Sequence, residues 1–301
     1  MGVAFYTLDT TKSDKPRFVR RTKECTTCHG YVSRWAPGLM VATYSTGPSG
    51  QLLNLDPYNP FRLTDDRTPF EDRYGGWYAT GKTGTMRHRG NVTIDPKDPL
   101  VLTPGGTNVT GLGDRIDIER YLEPGSDIVS LLTLEHQAGF VNLSTRINAQ
   151  YRSLDNKNAT SAFRATNEEI DASINELVSY MTFAKEAPLP SPVTGTSGFT
   201  KTFSEEGPAD AKGRSLRQFD LETRVFRFPL SYMIYSQAFD NLNVPAKDRV
   251  FRRLYDVLRG MRGSQRGADF YEYSGAAAIN ILAATRGDLP DFWKPVPETS
   301  I

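Results

Sequence analysis

The chain has 301 residues, and its 36 lysines and arginines nearly balance its 35 aspartates and glutamates, which gives a net charge of +1. This balance provides no global attraction to nucleic acid or to an anionic membrane, and no run approaches the ~18 apolar residues of a transmembrane helix. The length allows one large domain or two, with a core that needs no disulfide bonds.

The first informative element along the chain is the motif Cys25-Thr26-Thr27-Cys28-His29. This pattern is the attachment sequence of a c-type haem, in which both thiols bind the porphyrin covalently and the adjoining imidazole binds the iron. The chain contains two cysteines in total, so both are used by one motif. The sequence therefore predicts one covalently attached haem c and no disulfide bond.

Two other interpretations of this motif are weaker. A redox dithiol would need a βαβ setting, and the charged run 20–24 before the motif does not indicate one. A zinc site would combine Cys25 and Cys28 with two of His29, His88 and His136, but the second close pair of ligands typical of structural zinc sites is missing. The haem interpretation is favoured over both.

The segment after the motif changes character near residue 126. Residues 31–125 are rich in Gly, Pro, Asp and Thr, which predicts loops with a few short strands. From Ser126, a predicted N-cap, apolar residues recur at helical spacing to about Tyr151. We therefore expect an irregular wrapping region followed by one long helix.

The C-terminal part begins with a segment that is rich in proline and glycine. Residues 187–215 are predicted to form a linker or a long surface loop. Three helices are predicted beyond it, at about 229–240, 246–259 and 274–285, with Gly260 as the C-cap of the second.

These elements predict a mainly α fold. It combines a loop-rich, c-type haem-binding N-terminal part that has few short strands with a helical C-terminal part. The expected division is a haem-binding part at 1–186, the linker or long loop at 187–215 and a helical lobe at 216–301.

The sixth iron ligand decides the chemistry of such a haem. A second strong protein ligand gives a low-spin electron carrier, whereas an open position admits peroxide, oxygen or other small gases. His136 is the first candidate, because it lies on a helix face that we expect to be buried and to form a wall of the haem pocket. That face consists of Val129, Leu132, His136, Phe140, Leu143 and Ile147.

His88 is the second candidate for the sixth ligand. It lies between Arg87 and Arg89, and arginine supplies a planar fork that binds carboxylates such as haem propionates. This loop could supply a ligand together with a propionate clamp, the clamp alone, or merely a solvated turn. Met40 and Met86 are further candidates for the ligand.

A series of short motifs resembles a family of large, exported, monohaem c-type proteins of environmental bacteria. The resemblance spans nearly the whole chain and implies an exported haem c protein without specifying a substrate. Some members carry histidines where this chain has Thr83 and near Val141, so the resemblance does not support a second metal site here. The motifs lie at 5–8, 16–21, 25–29, 37–38, 72–81, 88–91, 135–137 and 231–236.

The leading functional prediction is electron transfer in the periplasm or outside the cell, with a six-coordinate haem. The first alternative is an open-site haem enzyme or gas sensor, and the second is a cytochrome subunit of a larger complex or filament. The expected partners are redox proteins or further copies of the chain, without nucleic acid. The start of the chain lacks signal-peptide features, so we expect the sequence to represent a mature or trimmed form.

Overall fold

The structure is a computed structural model that describes residues 3–298 except 12–13, 34, 50–51, 54–61, 94–103, 157–159, 161–163 and 261–267. About 40% of it is helical and about 10% is strand, in small sheets. The fold is therefore a helix-leaning mixture of helix and strand, which agrees only in part with the mainly α fold that the sequence predicted.

The N-terminus forms a hairpin that leads into the cysteine motif. Strand β1 (Phe5–Asp9) pairs antiparallel with β2 (Arg17–Arg21), so that Phe5 lies opposite Arg21 and Leu8 lies opposite Phe18. One helical turn, α1 (Thr26–His29), follows and continues as a 3₁₀ turn over Gly30–Val32. The predicted haem-attachment motif therefore lies in a helical turn.

The next hundred residues contain short elements, as the sequence predicted. Strands β3 (Ala42–Thr43), β4 (Ser45–Thr46), β5 (Leu52–Leu53), β6 (Arg62–Leu63) and β7 (Gly81–Lys82) have two residues each. β3 pairs with β6, and β4 pairs with β5. Single 3₁₀ turns occur at Phe70–Asp72, Pro104–Gly106 and Ile118–Arg120.

The predicted long helix is present as α2 (Ile128–Asp155), and its N-cap is Asp127 rather than Ser126. The Asp127 carboxylate accepts hydrogen bonds from the backbone N–H groups of Val129 and Ser130. A carboxylate at this position also interacts favourably with the helix dipole, which a serine hydroxyl does less strongly.

Helix α3 (Asn167–Met181) was not among the predicted helices, although its start carries a clear signal. Thr166 caps the helix through the Glu169 N–H, and the Glu169 side chain accepts from the Thr166 N–H. This reciprocal capping box, ahead of the buried residues Ile170 and Ile174, is the standard sequence signature of a helix start. Helix α3 packs against α2.

The segment predicted as a linker or long loop contains regular structure. Strand β8 (Thr194–Gly195) pairs with β7, and α4 (Phe199–Glu205) follows it. Leu189, Val193 and Phe203 are buried in the same hydrophobic core as residues from both flanking parts of the chain. The described structure therefore has one continuous core through this segment.

Two of the three helices predicted for the C-terminal part are present in the structure. The helix predicted at 229–240 is instead a 3₁₀ turn at Tyr232–Tyr235 followed by the four-residue helix α5 (Gln237–Asp240). Ser231 and Ser236 each accept backbone hydrogen bonds that start a new turn and so interrupt a continuous helix. Helices α6 (Val244–Gly260) and α7 (Ala268–Thr285) lie close to the predictions.

Gly260 is the last residue of α6, and residues 261–267 after it lie outside the described structure, so its predicted role as the C-cap is not described. Among the described helices, none combines the length and the apolar composition needed to cross a membrane.

Candidate functional site: the cysteine–histidine turn and its cavity

The helical turn α1 brings the three motif side chains to one face. Cys25 has helical backbone angles as the N-cap of α1, and the His29 N–H donates to the Cys25 carbonyl at 3.1 Å. Positions 25, 28 and 29 are spaced i, i+3 and i+4, so their side chains share one side of the turn. Cys25 and Cys28 are free and half-buried. Two thiols and an imidazole are therefore presented together.

The hydrogen bond of His29 sets its tautomer. Nδ1 lies 2.7 Å from the Gly38 carbonyl oxygen, and a carbonyl can only accept, so Nδ1 carries the proton. In the neutral ring Nε2 then holds a lone pair, which is the form that binds a metal. A histidine ligand held by a backbone carbonyl through its other nitrogen is a common arrangement at metal sites. The Phe5 ring packs on the imidazole with the centroids 4.3 Å apart.

The loop that holds His29 is anchored to α2 by one amide side chain. Asn142 accepts from the Leu39 N–H at 2.7 Å and donates to the Leu39 carbonyl at 2.9 Å. A Cβ at Gly38 would lie 2.5 Å from Val32 Cγ1 and 2.6 Å from Asn142 Oδ1, so a larger residue does not fit without displacement. Glycine at 38 therefore allows the loop to approach α2 closely.

A cavity of about 450 Å³ lies between this loop and α2. Its lining is mixed. Apolar side chains come from Val32, Leu39, Val41, Leu63 and Leu143, and polar or charged ones come from Ser33, Thr64, Asp65, Arg67, Thr68, Asn142, Arg146 and Glu176. Val32 follows His29 by three residues, and Leu39 follows the carbonyl that orients His29, so the cavity lies near the motif, although no motif residue lines it. Its volume is in the range of small-molecule and cofactor sites.

The residues of the motif fit the chemistry of a haem c. Cys25 and Cys28 would bind the vinyl groups and His29 Nε2 would bind the iron. None of these three residues lines the cavity, so the cavity is not assigned to the haem. Within the described part of the chain, no group of three His, Cys, Asp or Glu side chains is placed to hold a metal ion.

His136, the first candidate for the sixth ligand, is fully buried with both ring nitrogens in hydrogen bonds. Nδ1 lies 2.7 Å from Asp66 Oδ2, and Nε2 lies 2.6 Å from Ser231 Oγ. The Tyr180 ring stacks parallel to the imidazole at 5.0 Å. In this arrangement neither nitrogen has a lone pair free for iron, and the residue does not line the cavity.

A series of hydrogen bonds links an aspartate, a histidine and a serine in the order found in catalytic triads, here Asp66, His136 and Ser231. The sequence did not indicate this grouping. Ser231 is fully buried, however, and its hydroxyl also accepts from the Met233 N–H to start a 3₁₀ turn. None of the three residues lines the cavity beside the motif. The arrangement connects segments 70 and 95 residues apart in the core, and we interpret it as structural.

His88 is also buried, and it has the opposite tautomer to His29. Its Nδ1 accepts from the Gly90 N–H at 3.0 Å, so in the neutral ring the proton is on Nε2. Burial lowers the pKa of His88 to about 4, which keeps the ring neutral. The rings of Phe70 and Tyr74 surround it edge to face. Nε2 would have to lose its proton before it could bind iron.

The two arginines beside His88 occupy different surroundings. Arg87 is exposed, whereas Arg89 is half-buried and donates to Asp72 at 3.0 Å. Neither lines the cavity beside the motif. Of the two methionine candidates, Met86 is buried in the hydrophobic core and Met40 is half-buried next to Leu39.

The chain matches no protein-family model, and no curated protein and no solved structure is similar enough to count as a match. The functional interpretation therefore rests on the site itself.

Sequence reasoning missed the residues that shape the cavity, namely Asn142, Arg67, Arg146 and Glu176. Each lies far along the chain from the motif, and the hydrogen bonds of Asn142 to Leu39 connect residues 103 positions apart. No local spacing links such residues, although Arg146 follows Asn142 by one helical turn and so shares its face of α2.

Proposed function

We propose that this chain is an exported monohaem c-type protein of the periplasm or cell exterior that acts in electron transfer with redox partner proteins. The observation that carries the proposal is the α1 turn. It presents the two free thiols and His29 on one face, and the Gly38 carbonyl sets the histidine tautomer that binds iron. A bound haem c would supply a one-electron redox centre there.

The residues around the site would hold and orient this group. The Gly38 carbonyl fixes the His29 ring and increases its basicity as a ligand, and Asn142 holds the loop against α2.

The test of this proposal is covalent haem attachment. The chain is produced in the periplasm of a host that carries the haem c attachment machinery, and the haem that resists acid-acetone extraction is measured as its pyridine complex. We expect one haem per chain in the wild type and in Thr27→Ala, a control within the same motif. We expect little stable haem protein for Cys25→Ser, Cys28→Ser and His29→Ala. Haem that extracts from the wild type would contradict the proposal.

A second candidate function is the binding of a small gas or peroxide at an open iron position. The hydrogen bonds of the other two histidines favour it, because His136 uses both nitrogens and His88 has its proton on Nε2. Six-coordination by a second imidazole would require His136 to give up Ser231 or His88 to change tautomer.

Spectra of the purified protein distinguish the two functions. A low-spin spectrum in both oxidation states and no binding of carbon monoxide would support the electron carrier. A high-spin ferric form together with rapid binding of carbon monoxide by the ferrous form would support the open site.

A further inference from the structure

The N-terminal hairpin of β1 and β2 has an inner and an outer face. Successive side chains of a strand alternate between the two faces of a sheet. Phe5 lies on the inner face, where its ring packs on the His29 imidazole with the centroids 4.3 Å apart. Tyr6 and Leu8 therefore lie on the outer face, and Phe18 lies there too because it is directly opposite Leu8 in the register.

The outer face of the hairpin is apolar and exposed. Tyr6, Leu8 and Phe18 are 55%, 53% and 77% exposed, although all three have large apolar side chains. Within the described structure the sheet has two strands, so no further strand extends it. Apolar side chains that meet on an exposed surface mark a site of contact with another body, because burial there removes apolar area from water.

The hairpin also carries positive charge that the balance of the whole chain conceals. Residues 5–24 contain six lysines and arginines against three aspartates and glutamates, a net charge of +3. Two of the arginines are paired within this segment, Arg17 with Asp9 at 3.3 Å and Arg21 with Glu24 at 3.6 Å. Because the chain as a whole has a net charge of +1, the residues outside this segment sum to −2.

Three cations of the hairpin remain available to an anionic partner. Lys15, Arg20 and Lys23 are exposed and form no ion pair with any residue that the structure describes. Arg20 lies opposite Tyr6 and therefore on the outer face itself, whereas the two lysines lie before and after β2. Positive charges thus flank the apolar side chains.

We propose that the outer face of the hairpin is a docking surface for an anionic phospholipid bilayer, an inference that goes beyond the proposed function. The three apolar side chains would enter the boundary between headgroups and acyl chains, where aromatic rings are favoured. The three free cations would meet the anionic headgroups. The inner face, with Phe5 on His29, stays on the protein side, so docking would hold the cysteine–histidine turn close to the membrane surface.

The charge of the hairpin favours a bilayer over a second copy of the chain. A symmetric dimer through this face would bring two segments of charge +3 together, and like charges oppose such a contact. An anionic bilayer instead attracts the cations and accepts the apolar side chains at the same time.

Sedimentation with lipid vesicles tests the proposal. Purified full-length protein is mixed at low salt with vesicles of equal parts phosphatidylglycerol and phosphatidylcholine, or with vesicles of phosphatidylcholine alone. We expect binding to the anionic vesicles that weakens as the salt concentration rises, and much weaker binding to the neutral vesicles. Wild-type protein that stays in the supernatant with the anionic vesicles would overturn the proposal.

Substitutions on the outer face locate the contact. Phe18→Ser removes the most exposed apolar side chain of the face and should weaken binding to the anionic vesicles about tenfold. Arg20→Glu reverses a charge there and should weaken it by a similar factor. Both residues are exposed, so neither change removes a core contact. The matched controls Leu122→Ser and Arg152→Glu change exposed residues outside the hairpin and should bind as the wild type does.

Two further outcomes would overturn the assignment. Equal binding by the wild type, Phe18→Ser and Arg20→Glu, or equal losses in the hairpin and control variants, would show that this face is not the contact. Light scattering without lipid checks for self-association. A wild-type dimer that Phe18→Ser dissociates, together with no vesicle binding, would identify a second copy of the chain as the partner instead.

Discussion

At the scale of single residues, the three histidines differ in the nitrogen that is available. His29 has its proton fixed on Nδ1 by a carbonyl, His88 accepts at Nδ1, and His136 is hydrogen-bonded at both nitrogens. One residue type therefore has three different roles here, because the partner of one ring nitrogen determines what the other can do.

The first prediction concerns the buried hydrogen bonds of His136. Replacement by alanine leaves the buried carboxylate of Asp66 without this donor, so we expect His136→Ala to lower the free energy of unfolding by about 3 kcal/mol. Ser231→Ala should cost about 1–2 kcal/mol. Urea unfolding followed by circular dichroism measures both changes.

The spin state of the iron is the control for this prediction, and we expect it to stay the same in His136→Ala. A variant of unchanged stability whose iron becomes high-spin and binds carbon monoxide would identify His136 as an axial ligand instead.

The second prediction concerns Glu186, which is buried beside the Val225 N–H and Arg224. Burial raises the pKa of Glu186 to about 7, against 4.5 for the free side chain. Between these values the folded state binds more protons than the unfolded state, so stability falls as the pH rises from about 4.5 to 7. The lost stability is of the order of 3 kcal/mol above pH 7.

Glu186→Gln should therefore be more stable than the wild type at pH 8 and should differ little at pH 4.5. Thermal unfolding at several pH values measures the difference. A variant that is equally destabilised at every pH would show that the carboxylate of Glu186 is ionised and needed in the folded state.

At the scale of elements, the start of α2 connects two distant parts of the chain. The Asp127 carboxylate accepts from the first turn of α2, and also from the Thr196 and Ser197 N–H groups at 2.9 and 2.8 Å. A Cβ at Gly195 would lie only 2.8 Å from the Asp127 Cγ. Asp127 therefore anchors β8 and the start of α4 to α2.

The third prediction compares this cap with the simpler one on α3. Thr166→Ala removes a local cap and should lower the free energy of unfolding by about 1 kcal/mol. Asp127→Ala should cost at least twice as much, because three N–H groups, one buried and two partly buried, lose their acceptor together. Chemical unfolding measures both, and equal costs would show that the tertiary bonds of Asp127 contribute little.

At the scale of the whole molecule, one hydrophobic core extends across the boundaries that the sequence predicted between the haem-binding part, the linker and the helical lobe. Helix α2 packs on α3, and α3 packs on α6, so the N-terminal and C-terminal parts share one interior. Buried Leu189, Val193 and Phe203 fill it from the segment between them.

The fourth prediction follows from this shared core. Calorimetry of the holoprotein should show a single cooperative transition, because neither part can unfold without exposing apolar surface of the other. Fragment 216–301 alone should lack stable structure by circular dichroism. Two separate transitions, or a folded fragment, would indicate independent lobes.

Several features follow from the sequence alone because their causes are local. The motif at 25–29 contains every residue that covalent haem attachment would need, and its spacing within one helical turn places them on one face. The apolar repeats located α2, α6 and α7 because helical periodicity is a property of neighbouring residues. The α3 capping box was equally local and could have been read in the same way.

Other features were decided by tertiary contacts. Periodicity placed His136 on a buried face, but the partners Asp66 and Ser231 come from other segments, and they determine that both nitrogens are occupied. Asn142 gained its role in the same way, from a loop that folds against α2. The sequence by itself determined which groups could attach a haem, whereas the tertiary structure decided the partners of those groups and of the other histidines, because hydrogen-bond partners depend on long-range packing.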